Sequence, residues 1–380
     1  GTRITADPFE VVRHPEVDIV VELFGGTSIA KELVFEAVRH GKHIVTANKK
    51  LLAEHGGEFF ALAEKHNVMV QFEAAVAGGI PIIKALREGL AANRIRSIAG
   101  IINGTSNFIL SEMREKGSAF ADVLKEAQRL GYAEADPTFD IEGHDAGHKI
   151  TIMSALAFGT PVNFSACYLE GISKLDSRDI KYAEELGYRI KLLGITRRSE
   201  KGIELRVHPT LLPESRLLAN VNGVMNAVRV NADMVGETLF YGAGAGALPT
   251  ASAVVADIID TSRLIAADSG QRVPSLAFQP AQVQAQTMLP MDEITSSYYL
   301  RVQAEDKPGV LGQIAGLLAA QNVSIEALIQ KGVLDGRTAE IVILTHSTVE
   351  KHIKAAIAAI ETLGSVREKV VMIRMESLHD

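Results

Sequence analysis

The sequence predicts an α/β protein in three parts: a partial doubly wound parallel sheet, an α+β domain and a C-terminal ferredoxin-like unit. Three observations lead to this fold class. Over residues 17–76, short buried strands alternate with helices, which favours a parallel sheet with helical crossovers. From Gly78 the alternation stops. From residue 297 the order becomes β-α-β-β-α-β over about 75 residues, which is typical of a ferredoxin-like unit.

Three strands and two helices are predicted in the first part. The strands are short, continuous and β-branched, and they are "VDIVVELF" (17–24), "HIVTAN" (43–48) and "VMVQFEAAV" (68–76). Gly25-Gly26 leads into a helix over 28–40 that ends at Gly41. The second helix reaches about His66 and is expected to break near Gly56-Gly57. Such a half-sheet is typical of a Rossmann-type nucleotide-binding fold.

The middle part predicts a mixed α+β domain. Its elements are helices at about 80–91, 104–117, 118–130 and 141–158, a strand at 93–102 and a hairpin over 188–212 with its turn at 197–202. A Gly-rich loop, "YGAGAG" (241–246), then opens a long helix at about 249–267. The stretch 268–294 is rich in Gln and Pro and is predicted to be a connector.

Charge and composition exclude several classes of function. A net charge of −7, with no block of basic residues, argues against a nucleic-acid partner. No apolar run reaches the roughly 18 residues that a membrane span needs, so no membrane association is expected. The single cysteine, Cys167, cannot form an internal disulfide, which fits a reducing cytoplasm.

The stretch "FDIEGHDAGHKITIM" (139–153) carries the strongest chemical pattern. As a helix it would have Asp140 as its N-cap, and Asp145 and Lys149 would share one face. A pair four residues apart is commonly an exposed ion pair that adds a few tenths of a kcal/mol. However, the apolar continuation predicts burial, and a buried Lys beside an Asp is a candidate proton donor. Spacing alone leaves both interpretations open.

His144 and His148 repeat the four-residue spacing of zinc-binding helices. No third Cys or His ligand stands close in the sequence, so an unliganded pair is favoured over a zinc site.

Three further stretches lie where predicted strands end. "VTANK" (45–49) puts Lys49 at the carboxyl end of a parallel strand, where ligands bind, although Lys49 would equally suit the start of a solvated helix. "EAAVAGGIP" (73–81) suits a close approach of backbone to another group or a tight turn. "YGAGAG" suits a phosphate at a helix N-terminus or a flexible connection.

Along residues 17–260, these stretches resemble the homoserine dehydrogenase family when they are taken in order. The matching segments are "VVELFGG", "VTANKKLLA", "FEAAVAGGIPII", "INGTSNFIL", "GYAEADPTFDIEGHDAGHK" and "YGAGAGALPTASAV". The long signature around "GYAEADP" and "DIEGHDAGHK" is specific, whereas the glycine loops are not. Residues 297–374 resemble an ACT domain, with "AEDKPGVLGQIAGLLAAQNVSI" as the typical segment. The whole arrangement is similar to the bacterial monofunctional enzyme with a C-terminal ACT domain.

The resemblance implies an NAD- or NADP-dependent oxidoreductase that interconverts L-homoserine and L-aspartate-4-semialdehyde, in threonine, methionine and isoleucine biosynthesis. It implies Lys149 as general acid/base, assisted by Lys49. Implied substrate residues are Gly131, Glu134, Asp140 and Asp145. Implied cofactor residues are Gly25, Gly26, Thr46, Lys49 and Gly246. A monovalent cation, Na⁺ or K⁺, would bind Glu73 and main-chain oxygens of Val76, Gly78 and Ile80.

The resemblance also divides the chain by role. The expected regions are a dinucleotide-binding domain (1–76 plus about 247–268), a catalytic and dimerisation domain (77–246), a linker (269–294) and an ACT regulatory domain (295–375). An amino-acid effector, expected to be threonine, would bind near Asp306, Gly309, Val310 and Leu311, although Pro308-Gly309 would equally suit a simple turn. A homodimer or homotetramer is expected, because an ACT unit alone leaves a sheet edge and an apolar face to cover.

The family pattern begins with a strand, a G-x-G-x-x-G-type loop and a helix that do not occur in this sequence. We expect that roughly 50 residues precede Gly1 in the pattern, either because the chain is a fragment or because its numbering starts later. For a fragment, weak cofactor binding is expected. A second interpretation is then a non-catalytic, amino-acid-binding regulatory and oligomerisation fragment of such an enzyme.

Overall fold

The first part of the chain forms the small parallel sheet that the sequence predicts. A computed structural model describes residues 2–267, 273–333 and 338–378. Within them, three strands pair in parallel in the order β1-β2-β3. The elements are α1 (Pro8–Arg13), β1 (Ile19–Glu22), α2 (Ile29–Arg39), β2 (His43–Thr46), α3 (Lys49–Lys65) and β3 (Val70–Gln71). The strands therefore end at one edge, which is where parallel sheets bind ligands.

Two predicted features of this part are wrong. Helix α3 is continuous through Gly56-Gly57, since a glycine inside a helix costs only about 1 kcal/mol and Gly56 allows a close approach to Val162. The predicted strand 68–76 ends at Gln71, because Glu73–Ala75 turns into a 3₁₀ helix. The buried carboxylate of Glu73 holds this turn by accepting main-chain hydrogen bonds from a later helix.

The middle part is an antiparallel sheet with helices packed on it. Its elements are α4 (Ile82–Lys84, continued by a π-helical turn over Ala85–Gly89), β4 (Ile95–Ile101), α5 (Gly104–Lys116), α6 (Phe120–Arg129), α7 (Thr138–Ile141), α8 (His144–Phe158), β5 (Tyr168–Leu169), α9 (Ser177–Glu185), β6 (Tyr188–Ser199), β7 (Gly202–Pro213), β8 (Met225–Ala232), β9 (Gly236–Ala243) and α10 (Ala247–Ala266). The predicted hairpin is β6 and β7. Strands β8 and β9 were not predicted.

The predicted helix over 141–158 is two helices, α7 and α8. Gly143 separates them with a positive φ of 84°, a conformation that favours glycine. Asp140 lies inside α7 and is not the N-cap of α8, so that prediction is wrong. The chain turns at Gly143, and Asp140 lies close enough to Asp145, in the first turn of α8, for both to accept hydrogen bonds from Asn103.

Helix α10 returns to the parallel sheet. Its Ala253 and Val254 share a small buried cluster with Val45 and Ala74, while the assignment of residues 247–268 to the dinucleotide-binding domain stays a prediction. Residues 268–272 of the predicted connector lie outside the described residues. The rest of the connector runs along the hairpin, where Ile203 exchanges main-chain hydrogen bonds with Thr287 and Leu289.

The last part has the predicted β-α-β-β-α-β order. Its elements are β10 (Thr295–Glu305), α11 (Val310–Ala320), β11 (Ile325–Val333), β12 (Thr338–Thr345), β13 (Thr348–Val349), α12 (Glu350–Ile360) and β14 (Val371–Met375). The inward faces of α11 and α12 pack with β10 and β12 into a core of their own.

Strand β14 joins this unit to the middle domain. It pairs in parallel with β7, with Arg374 opposite Thr210 and Met375 opposite Leu211. Over the described ranges, eleven strands thus form one sheet along the path β11-β12-β10-β14-β7-β6-β4-β8-β9, with β13 and β5 attached. A single sheet shared by the two domains was not predicted. In the same ranges, none of the helices is both long and apolar enough to cross a bilayer.

Candidate active site

The first turn of α8 lies beside the carboxyl end of β2, and a cluster of charged side chains lies between them. Asp145 accepts a hydrogen bond from Lys149 Nζ at 2.8 Å through Oδ2. Its other oxygen, Oδ1, is 3.2 Å from Lys49 Nζ. Lys149 also donates to the carbonyl oxygen of Ile102 at 2.7 Å. The structure thus brings together both predicted lysines around one carboxylate.

The sequence of α8 explains why this cluster is buried. Every residue from Asp145 to Phe158 is buried, because the helix is apolar on all sides beyond its first turn. Asp145 lies in that first turn, where the helix dipole favours a negative charge. The exposed ion pair considered for Asp145 and Lys149 is therefore excluded, and the buried pair is confirmed.

Asn103, a residue given no role in the sequence analysis, links two carboxylates. Its Nδ2 donates to Asp140 at 2.7 Å and to Asp145 at 2.9 Å. Its Oδ1 accepts the backbone N–H of Ser106 and so caps helix α5. The available signal was an Asn directly after a buried strand and before a helix, a pattern that indicates a cap without indicating its second partner.

Asp140 and Asp145 differ in their ease of ionisation. Burial disfavours the charged form of Asp145, but the ammonium groups of Lys149 and Lys49 outweigh it and hold the pKa of Asp145 well below its usual value. Burial raises the pKa of Asp140, although the hydrogen bond from Asn103 opposes the rise. The site therefore contains one carboxylate that stays ionised and a second that takes up a proton more readily.

The two histidines belong to the wall of the site. His148 is buried between Phe139 and Phe164, with ring centroids 5.3 and 4.2 Å away. Burial lowers the pKa of His148 to about 4. His144 stacks on Phe139. Within the described part of the chain, no cluster of three or more His, Cys, Asp or Glu side chains could hold a metal ion.

The loop after β1 forms the open side of the site. Gly25 and Gly26 have φ angles of 74° and 73°, and a Cβ on either would meet no atom within 4 Å. The buried carboxylate of Glu22, which the sequence analysis missed, accepts the backbone N–H of Phe24 at 2.8 Å. Asn48 Nδ2 donates to the carbonyl of Gly26 at 2.8 Å. This small, open and braced loop suits a ligand that approaches the backbone closely.

Thr46 and Lys49 lie at the same edge but differ in availability. The Thr46 hydroxyl donates to Glu22 and accepts from the backbone N–H of Asn48. The side chain is also fully buried, so it is not accessible to a ligand. The Lys49 side chain keeps 35% of its surface exposed and lies 5.9 Å from the ring of Phe139. Lys49 is therefore accessible to a ligand, whereas Thr46 stabilises the loop after β1 through its hydrogen bond to Glu22.

The two glycine-rich loops pack against each other. A Cβ on Gly78 would overlap the carbonyl of Gly244, and the N–H of Gly79 donates to the carbonyl of Ala243 at 3.0 Å. The close backbone approach considered for "AVAGGI" is confirmed, and its partner is the other loop. Gly246, with φ of 117°, directly precedes α10. The "YGAGAG" stretch is therefore half strand and half a packed turn.

Glu73, the expected cation ligand, already has partners for both carboxylate oxygens. They accept the backbone N–H groups of Ile83 at 2.8 Å and Lys84 at 2.9 Å. Burial raises the pKa of Glu73 to about 7. Val76 and Ile80 are buried in the same turn. The carboxylate therefore stabilises the turn, and its part in binding a cation stays a prediction.

Two expected substrate residues lie on the exposed loop after α6. Gly131, with φ of 79°, terminates that helix. The carbonyl of Glu134 accepts a hydrogen bond from Gln128, but within the described chain no hydrogen bond or ion pair joins the Glu134 carboxylate to the Asp145 cluster. The structure therefore places Asp140 and Asp145 in the cluster and leaves the exposed Glu134 without a described bond to it.

The expected effector position lies at the turn between β10 and α11. Gly309 precedes α11 with φ of 90°, and Asp306 accepts a hydrogen bond from Gln330 at 2.9 Å. Val310 points into the core of this unit, and Leu311 packs against that core. Only the polar, exposed part of the turn is therefore available to a ligand.

Comparison with protein families gives three matches along the chain. A family described as homoserine dehydrogenase matches residues 81–259. The homoserine dehydrogenase NAD-binding domain matches residues 1–73, and the ACT domain matches residues 298–365.

Individual relatives agree with these matches. The homoserine dehydrogenase of Neisseria gonorrhoeae is 85% identical over 374 residues, which is 98% of this chain and 86% of that protein. The Pseudomonas aeruginosa homoserine dehydrogenase is 59% identical over 100% of this chain and 88% of its own length. A crystal structure of a homoserine dehydrogenase from Thiobacillus denitrificans superposes with a TM-score of 0.95 at 64% identity, covering 98% of this chain and 85% of that one.

Proposed function

The chain belongs to the homoserine dehydrogenase family, and we propose that it interconverts L-homoserine and L-aspartate-4-semialdehyde with NAD or NADP. One observation carries this proposal: Lys49 and Lys149 both contact the buried carboxylate of Asp145 at the carboxyl edge of a parallel sheet. An oxidoreductase acting on a small polar substrate needs a proton donor held at such an edge.

The nicotinamide cofactor fits the open loop beside this cluster. Gly25 and Gly26 leave the backbone accessible, and Lys49 offers a positive charge at the same edge. A bound nicotinamide would supply the hydride chemistry that interconverts the aldehyde and the alcohol. The loop of Gly25 and Gly26, held by hydrogen bonds to Glu22 and Asn48, would orient the cofactor through main-chain contacts. Gly246 is the remaining residue expected to contact the cofactor.

Lys149 performs the proton transfer. An ammonium group has three donors, and in Lys149 two of them go to Asp145 and Ile102. The third donor serves the substrate oxygen. Aldehyde reduction places negative charge on that oxygen, and Lys149 stabilises it and then supplies the proton. In the reverse direction, neutral Lys149 accepts the hydroxyl proton. Lys49 assists by adding positive charge on the open side.

The carboxylates select the substrate's amino group. Asn103 holds the carboxylates of Asp140 and Asp145 side by side by donating to both. A substrate ammonium would donate hydrogen bonds to the same two carboxylates. Glu134 would reach this group from the rim, and Gly131 would line the entrance. The family signature in residues 131–149 implies the same substrate-binding roles.

For the monovalent cation, Na⁺ or K⁺, the turn fits only in part. Hard cations prefer oxygen ligands, and main-chain oxygens of Val76, Gly78 and Ile80 would supply them. The Glu73 carboxylate would offer the cation only its remaining lone pairs, because each of its oxygens already accepts one backbone N–H group. Its part is to hold the turn that presents the carbonyls.

We propose that the ACT unit binds an amino-acid effector, L-threonine, at Asp306 and Gly309, and that the enzyme is a cytoplasmic homodimer or homotetramer. The edge strand β9 and the start of α10 support association, because they expose Tyr241 and Leu248 at 59% and 84%. The pathway is threonine, methionine and isoleucine biosynthesis.

The test is a turnover assay in both directions. Purified protein is mixed with L-homoserine and NAD⁺ or NADP⁺, or with aspartate semialdehyde and the reduced cofactor, and the nicotinamide absorbance is followed. Reversible, stoichiometric conversion is expected. Threonine binding by calorimetry without cofactor binding or turnover would favour the non-catalytic alternative.

A further inference from the structure

A five-residue segment, 168–172, lies between the ACT unit and the helix that carries Asp140. It contains strand β5 and the turn that follows it. Strand β5 pairs with β7, with Tyr168 opposite Arg206. The segment contacts β14 of the ACT unit at one end and α7 of the active site at the other.

At the ACT end, the contact is a buried ion-pair group centred on Arg374. Its guanidinium, with the side chain only 1% exposed, donates to both oxygens of Glu350 at 2.7 Å. Its Nη1 donates to Glu170 at 2.6 Å. The ring of Tyr168 lies 5.0 Å from the guanidinium carbon, and the Tyr168 hydroxyl donates to Glu170 at 2.8 Å. Glu170 supplies the carboxylate through which the segment joins β14, and Tyr168 adds a weaker contact to the same guanidinium.

At the active-site end, the contact is tight and made by backbone. The N–H of Ile172 donates to the carbonyl of Ile141 at 2.8 Å. A Cβ on Gly171 would overlap that same carbonyl, so the chain can approach only because the residue is glycine. The N–H of Glu170 donates to Val207 at 2.8 Å, which fixes the middle of the segment to β7.

Ile141 is the last residue of α7, and the preceding residue is Asp140. Helix α7 has only four residues, so its position depends on what holds its ends. Asn103 holds the Asp140 carboxylate on one side, and the 168–172 segment holds the following residue on the other. A displacement of β14 would therefore reach Asp140 through two contacts, Arg374 to Glu170 and Ile172 to Ile141, joined by short stretches of chain.

We propose that Glu170 is a positioning residue that ties the placement of α7, and with it Asp140, to strand β14 of the ACT unit. The proposal rests on the proposed function only in giving Asp140 to the substrate. This role explains why Glu170, whose side chain is partly exposed, binds the guanidinium of Arg374 although Glu350 already accepts two hydrogen bonds from it.

The same domain junction offers a matched control. On α9, Asp179 accepts hydrogen bonds from Arg301 of β10 at 2.6 and 3.0 Å and from Tyr299 at 2.8 Å. This group also ties the ACT unit to the middle domain, and its carboxylate is more deeply buried, with 1% of the Asp179 side chain exposed against 35% for Glu170. In the described residues no hydrogen bond leads from it to α7.

The experiment compares full-length wild-type protein with Glu170→Gln, Tyr168→Phe and Asp179→Asn. Amide hydrogen exchange is followed by mass spectrometry in a peptide that covers residues 138–143. Glu170→Gln should speed exchange at Ile141 and Glu142, whose N–H groups bond within α7, and Tyr168→Phe should do so less. Asp179→Asn should lower the melting temperature without changing that peptide. Unchanged exchange in Glu170→Gln, or an equal change in Asp179→Asn, would overturn the proposal.

Kinetics give a second readout. Glu170→Gln should raise KM for homoserine roughly 3- to 10-fold, with a smaller change in kcat, a size typical of coupling through packed contacts. Asp179→Asn should keep KM within twofold of wild type. A wild-type protein without turnover would reject the proposed function, while the exchange experiment would still decide on the role of Glu170.

Discussion

Two regions of this protein bury several charged side chains, and they differ in how completely those charges are paired. At the junction with the ACT unit, Arg206 contacts Glu204 and Glu376, and Arg301 contacts Asp179 and Glu340. In the active site, Lys149 has one carboxylate and one carbonyl, and Lys49 stays partly exposed. The junction pairs each arginine with two carboxylates and serves stability. The candidate active site leaves donors available, as the proposed binding of a substrate there requires.

The largest expected effect is a loss of turnover when Lys149 is replaced, compared with Lys191, a second buried lysine. Lys149→Met should lower kcat by a factor of about 10² to 10⁴, the usual contribution of a general acid or base, because no donor remains at the substrate oxygen. Lys191→Met is the control, since Lys191 is 2% exposed but donates only to carbonyl and amide oxygens such as Val221 O at 2.5 Å. It should lower stability and keep kcat. Steady-state kinetics and circular dichroism measure both; near-normal turnover of Lys149→Met would reject its role.

The next effect concerns the fully paired region. Glu376→Gln should lower the free energy of unfolding by roughly 3 to 5 kcal/mol, as when one partner of a buried ion pair is lost, with little change in KM. Burial opposes its charge, but Arg206 and Arg197 hold the pKa of Glu376 below its usual value. Its stabilisation is therefore complete above the unfolded-state pKa and is lost as pH falls through the folded-state pKa.

Urea unfolding at neutral and acid pH measures this difference. The gap between wild type and Glu376→Gln should narrow as the pH falls into the acid range. A gap that stays constant with pH would mean that the carboxylate is not charged in the folded protein.

The smallest expected effect is on the pH profile. Asn103→Ala should lower kcat/KM about tenfold, the order expected for losing a hydrogen bond to a charged group. It should also move the acid limb of the pH–activity profile to higher pH. The Asn103 hydrogen bond lowers the pKa of Asp140, so its loss raises that pKa. Asn107→Ala is the control on the same helix, since Asn107 holds the carbonyls of Val221 and Gly223. An acid limb that moves equally in both variants would contradict the assignment.

Local patterns predicted much of the fold and part of the site. The parallel strands, the hairpin and the ferredoxin-like order follow from periodicity and turn residues, which act over a few positions. The Asp145–Lys149 pair follows from helical spacing, and its burial follows from the apolar residues after it. Family resemblance added the roles of the residues, because spacing alone left the pair between an ordinary ion pair and a catalytic one.

What sequence could not predict depends on contacts between distant residues. Asn103 was recognisable as a helix cap, but its bonds to Asp140 and Asp145 cross 37 and 42 positions. The early end of β3 follows from Glu73, whose side chain binds the start of a later helix. The pairing of β14 with β7 crosses domains, and no local signal in either strand specifies its partner.

The parallel pairing of β14 with β7 also matters for any attempt to remove the proposed regulation by the ACT unit. Removing the ACT unit by a cut in the connector would strip β7 of β14 at Thr210 and Leu211, leaving that part of its edge unpaired and open to self-association. The same cut would remove Glu376 and leave the guanidinium of Arg206, itself fully buried, short of an anion. Insensitivity to an effector should therefore be sought by single substitutions in the ACT unit and not by deleting it.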